Sequence, residues 1–139
     1  IEAWRETSQA PNLLAPQCLD VLDTRWLVED TELPEPLSAM VNINMVHIAP
    51  WPCCVGLFDG AKRILHAQAV VLMYGPFKQG GEHISPSNAA FDQQLKAQDA
   101  LWGVRDLEAV IDVARARGFG CQAVIPMPAN NLMVNFTRA

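Results

Sequence analysis

Apolar residues along this chain recur in two rhythms. One is a stripe every three to four positions, which marks a helix against a core. The other is an unbroken run of strand length, which marks a strand buried on both faces. From about Cys53 to His66 the helical rhythm holds, with Val55, Phe58, Ala61 and Leu65 on one stripe and Leu57 and Ile64 beside it. It returns from about Arg105 to Arg117, where Leu107, Val110, Ile111 and Ala114 face inward and Gly118 supplies a stop. Ser87 or Asn88 can cap a shorter helix through about Lys96, and Ile1–Ser8 reads as the end of another.

Between the helices lie strand-sized runs. Leu37–Val46 is apolar except for Ser38, Asn42 and Asn44, and Ala67–Tyr74 is almost wholly apolar. Gln17–Val21 reads as a shorter strand ahead of a polar loop over Asp23–Pro36, which Trp26 and Leu27 are expected to pin to the body. Gly75–Pro86 reads as a long loop. Cys121–Met127 and Leu132–Thr137 flank a short polar turn and so form an antiparallel pair. Helices alternating with buried strands imply a parallel α/β sheet, closed at its C-terminal end by a hairpin.

Composition narrows the functional classes. The net charge of −5 and pI near 5.0 set the surface against phosphate backbones, so no duplex nucleic acid is expected as a partner. No apolar run reaches the roughly 18–20 residues a membrane span needs, and Ile1–Ser8 does not resemble a signal peptide, which points to a cytoplasmic protein. The chain starts at Ile rather than Met, so natural residues are expected to precede it. Cys18, Cys53, Cys54 and Cys121 show no metal-ligand spacing and read as free thiols.

In open α/β sheets ligands bind outside the carboxyl ends of the strands. The polar residues expected there are few: Asp20 and Asp23, then Asn44 and His47, then Tyr74, then Asn130 and Asn131. Asp20 can accept from a purine amino group or simply cap a turn. Asn44 and His47 lie where a ligand would approach, and His47 can serve as a general base or satisfy a helix start. Trp51, Phe77 and Trp102 can wall a flat ligand or pack in the core. His66 and His83 show no partner pattern and read as solvated. No glycine-rich phosphate loop and no nucleophile elbow occurs in these residues.

Seven short stretches, taken in order, carry a resemblance. They are Leu19-Asp-Val21, Asn42-Ile-Asn-Met-Val-His-Ile-Ala-Pro50, Leu57-Phe-x-Gly-Ala61, Tyr74-Gly-Pro-Phe77, Ser87-Asn-Ala-Ala-Phe-Asp92, Trp102-Gly-Val-Arg-Asp-Leu-Glu108 and Met127-Pro-Ala-Asn-Asn131. Together they resemble the methyltransferase-like family also known as domain of unknown function 938. The resemblance implies a Rossmann-like class I methyltransferase sheet of strand order 3-2-1-4-5-7-6, mostly parallel with a C-terminal antiparallel hairpin. The chain would hold its third to seventh strands, lacking the first two strands, as the C-terminal two-thirds of one domain.

By the same resemblance the parent protein is an S-adenosylmethionine-dependent methyltransferase. Asp20 would approach the adenine. Asn44 and His47 would face the methionine end and the methyl acceptor, as cofactor-binding and catalytic residues. Trp51, Tyr74, Asn88, Trp102 and Asn131 would contact the substrate, and Phe91, Asp92, Arg105, Asp106 and Asn130 match further motifs near the rim. The family's glycine loop and acidic ribose ligand have no counterpart in these residues, which puts cofactor binding by this chain alone in question. A non-catalytic binding or regulatory module, or an inactive truncated fragment, is the alternative. An open sheet edge beside Leu37–Val46 would be met by self-association or by a rearranged first strand.

Overall fold

In a computed structural model, residues 2–8, 10–32 and 35–139 are described. The elements in chain order are α1 (Glu2–Thr7), β1 (Leu37–Ile43), α2 (Trp51–Ile64), β2 (Leu65–Gly75), β3 (Phe77–Gln79), β4 (Glu82–His83), α3 (Pro86–Gln98), β5 (Arg105–Asp106), α4 (Leu107–Arg115), β6 (Phe119–Met127) and β7 (Asn131–Arg138). The main sheet has the order β1-β2-β7-β6, and a small second sheet has the order β4-β3-β5. β1 and β2 pair in parallel, while β7 pairs antiparallel with both β2 and β6. Three of the four strands therefore run one way and β7 alone runs back. This is the 4-5-7-6 half of the order that the resemblance implies.

α2 and α4 cover one face of this sheet. The alternation along β2 sends Leu65, Ala69, Val71 and Met73 into that layer, and β7 adds Leu132, Val134 and Phe136. Phe58 of α2 lies fully buried between Phe119 and Phe136, with ring centroids 5.7 and 5.3 Å away. On the opposite face the register lines up Ile43, Tyr74, Met133 and Ile125 across all four strands. Ile43 and Val41 there are 61% and 58% exposed.

Two expectations need correction. Gln17–Val21 forms no strand: residues 17–20 are irregular, Leu19 is exposed, and Val21 begins a turn. A strand needs a neighbour for its backbone N–H and C=O groups, and no described segment pairs with this one. The segment instead runs along α2, so close that a Cβ on Gly56 would lie 2.5 Å from the Val21 carbonyl oxygen. The pinning of the polar loop is half right. Trp26 is buried against α2, where a Cβ on Gly60 would fall 2.0 Å from its ring, but Leu27 is exposed.

Smaller differences follow from local chemistry. β1 stops at Ile43 because Asn44 adopts a left-handed backbone (φ 59) and the chain turns through Met45–Ile48. The expected loop after Tyr74 contains the β3–β4 hairpin, with Gly80 and Gly81 at positive φ between its strands. α3 begins at Pro86, two or three residues early, because Ser85 is the cap and its hydroxyl accepts the Asn88 N–H. α1 buries none of its residues, and Ile1, also read as helical, lies outside the described residues.

Candidate active site

The carboxyl ends of β1 and β2 and the turn before β7 converge on a cleft of about 640 Å³. Asn44, His47 and Ile48 come from the turn after β1, and Tyr74 and Pro76 from the end of β2. Ser87, Asn88 and Phe91 come from the first turns of α3, and Ala129, Asn130 and Asn131 from the final turn. Asn44, His47, Tyr74 and Asn131 thus share one cleft as the sequence led us to expect, and Asn88 joins them.

Backbone geometry sets the cleft floor. The Asn44 N–H donates to the Tyr74 carbonyl (2.9 Å), continuing the β1–β2 ladder one residue past the strand. Gly75 leaves room for both site residues, since a Cβ there would lie 3.3 Å from Asn44 Oδ1 and 3.3 Å from His47 Cε1. Asn131 Nδ2 donates to the Tyr74 hydroxyl (3.0 Å) and Asn88 Nδ2 to the Asn130 carbonyl (2.9 Å). Ala129 and Asn130 both take left-handed backbones, which turns the chain tightly between β6 and β7.

His47 is 3% exposed, and its ring edge meets Phe91 at 5.6 Å between centroids. Its Nδ1 is buried and has no hydrogen-bond partner among the described residues. Burial, helped by the Arg105 guanidinium, holds the imidazole below its ordinary 6.5. The ring is therefore neutral at pH 7 and keeps one nitrogen lone pair free to accept a proton.

The far side of the same turn is tied down. Arg105 donates from Nε to the Val46 carbonyl (3.0 Å) and from Nη2 to the Ala49 and Leu101 carbonyls (2.7 Å each). The Gly103 N–H donates to the His47 carbonyl (3.0 Å). Asp92, 4% exposed, accepts the Val104 N–H (2.7 Å) and pairs with Lys96 (2.6 Å) and His83 (3.3 Å). Burial works to raise the Asp92 carboxyl, but Lys96 and the Val104 N–H outweigh it and hold the group below its usual range.

Other expected site residues lie elsewhere. Trp51 lines a separate cleft of about 290 Å³ with Lys78, Lys96, Arg105 and Asp106, because α2 begins at Trp51 and its ring stacks under Arg105. Trp102, partly buried in the loop after α3, is absent from both linings. Phe77 is fully buried core. Asp20 accepts the Leu22 N–H (2.9 Å) in a local turn and does not line the main cleft. His83 is not simply solvated, since it pairs with Asp92. Cys54 lies buried in α2 with its thiol pushed up to about 12 by burial, and Cys18, Cys53 and Cys121 are likewise free. Sequence reasoning did not name Ile48, Pro76, Ser87 or Ala129 as site residues, although each lies within one of the stretches that carry the resemblance.

Among solved structures the chain is similar to the pyocyanin biosynthetic protein PhzM (18% identity, TM-score 0.61, 78% of this chain and 32% of that one). It is also similar to a methyltransferase of calicheamicin biosynthesis in its S-adenosylhomocysteine-bound form (14%, 0.62, 73% and 30%). A third similar structure is an O-methyltransferase family 2 protein from Planctomyces limnophilus in complex with apigenin (15%, 0.67, 76% and 33%). These likenesses show a methyltransferase-like fold, and the chain spans about a third of each structure's length. The family whose profile matches, over residues 1–138, is described as a protein of unknown function, DUF938, and the chain belongs to that family.

Proposed function

We propose that this chain carries the acceptor end of an S-adenosylmethionine-dependent methyltransferase site, with His47 as the base. The observation that carries the reading is the nearly buried, neutral imidazole of His47 lining a cleft at the carboxyl edge of the sheet, with no hydrogen-bond partner for its Nδ1 among the described residues. The fold of the similar structures, one of which holds S-adenosylhomocysteine, supports the cofactor.

The cleft lining fits the acceptor side of the reaction. Among the described residues it holds no cation for the cofactor's carboxylate and no carboxylate for its ammonium or ribose hydroxyls, so the residues that would hold the cofactor are not in this lining. When bound, S-adenosylmethionine supplies an electrophilic methyl group, whose C–S electron pair stays on sulfur as the acceptor takes the carbon. Asn44 orients the acceptor. The acceptor O–H or N–H proton passes to the neutral His47 imidazole, which becomes imidazolium and later releases it to solvent. Methyl transfer depends chiefly on this positioning, since the acceptor must lie in line with the breaking bond.

The test is labelled methyl transfer by the full gene product against its His47→Ala variant. Loss of a general base should lower turnover by about 10²-fold or more while the fold is retained. An unchanged rate would assign His47 to structure.

A further inference from the structure

Resting on the reading of the cleft just given, we infer that it selects an uncharged hydroxyl compound with a flat apolar body, and rejects carboxylates, phosphates and amines of the same shape. Among the described residues, no aspartate, glutamate, lysine or arginine lines the cleft. Its polar groups are the carboxamides of Asn44, Asn88, Asn130 and Asn131, the hydroxyls of Tyr74 and Ser87, and the His47 imidazole. Each of these can both donate and accept, so the set suits ligand hydroxyls and carbonyls, and none can neutralise an ion.

The deepest positions matter most. His47 is 3% and Asn88 5% exposed, so a ligand group that reaches them leaves water. An ion moved there unpaired loses its hydration with no countercharge to replace it. His47 is itself neutral, held below 6.5 by burial first and by Arg105 second, and offers no compensating charge at neutral pH.

The charges nearest the cleft are already committed behind it. Asp92 is taken by Lys96, His83 and the Val104 N–H, and Arg105 by three backbone carbonyls. Lys78 and Asp106 line the other cleft. The apolar part is also present: Phe91 stands edge-on to His47, with Ile48, Pro76 and Ala129 around it. A volume of about 640 Å³ is ample for a fused two-ring body.

A matched set of naphthols tests this, bearing a carboxamide, a carboxylate or an aminomethyl group at one ring position. Binding to the full chain is followed by amide chemical shifts of Asn44–Ile48 and of Asn88. The carboxamide should bind at least about tenfold more tightly than either ion, a difference of about 1.4 kcal/mol. Ser87→Asp, a change at an exposed rim position, should bring the aminomethyl compound up to or above the carboxamide and weaken the carboxylate further. Equal or tighter binding of either ion to the unaltered chain would overturn the inference, as would shifts outside the cleft or none with any of the three. Labelled methyl transfer to each naphthol hydroxyl is scored separately. Selective binding of the carboxamide without transfer keeps this ligand class and removes the methyltransferase reading. Equal transfer to all three keeps the methyltransferase and removes the ligand class.

Discussion

The turn Asn44–Pro50 has two sides, and they differ in how fully their hydrogen bonds are met. Behind it, the carbonyls of Val46, His47 and Ala49 each receive a donor, from Arg105 or from the Gly103 N–H. The His47 side chain, which lines the cleft in front, has a buried Nδ1 that finds no partner among the described residues. Folded proteins pair nearly all buried polar groups, so the back of the turn accounts for itself as structure. The front does not. Arg105 and Asp92, which the family resemblance sets near the pocket rim, belong to the back: they position His47 and stay out of the main cleft.

The comparison can be broken from the back first. Arg105→Ala strands three backbone carbonyls, so unfolding free energy should fall by about 2–3 kcal/mol, and Arg105→Lys should restore only part of it, because one ammonium cannot copy the guanidinium fork. Urea denaturation of the variants checks this, and a loss within 0.5 kcal/mol, about the size of an ordinary surface change, would mean the clamp is not structural. Asp92→Asn keeps an acceptor for the Val104 N–H but removes the charge facing Lys96 and His83. Lys96 is half exposed, so the cost should be smaller, about 1–2 kcal/mol by the same assay.

The front sharpens the contrast through pH. Unfolded, His47 protonates near its ordinary 6.5, and folded, it does so only at a lower pH. Its contribution to stability is therefore complete above 6.5 and is lost as pH falls through the lowered folded value. His47→Gln should flatten the decline in melting temperature just below pH 6.5, with little change at pH 8. An identical decline in both proteins would show that other groups set it.

The strands β1, β2, β6 and β7 were legible because an apolar run or a hairpin turn announces each, while their order was implied only by the family resemblance. Gln17–Val21 was misread because five residues with two or three apolar side chains meet the strand pattern without a partner for their backbone. The β3–β4 and β3–β5 pairings escaped because two or three residues show no periodicity. Within the cleft, Asn44, His47, Tyr74, Asn88 and Asn131 could be found because polar residues stand out at the ends of apolar strands and at a helix start. The direction of a side chain at a helix start could not be read. Trp51 opens α2 and stands against Arg105, outside the cleft that His47 lines. Nor could the chain order reveal that Arg105 reaches back to carbonyls 56 and 59 positions earlier.

The protonation state of the His47 imidazole decides whether the cleft holds a base. A nitrogen-15 NMR titration of the His47 ring, without ligand and with the naphthol carboxamide, reads it directly. The expected result is a midpoint below 6.5 in the free chain, a neutral ring at pH 7, and a shift of the ring nitrogens as the cleft fills. A midpoint at or above 6.5, or ring nitrogens that do not move at saturating ligand, would contradict it.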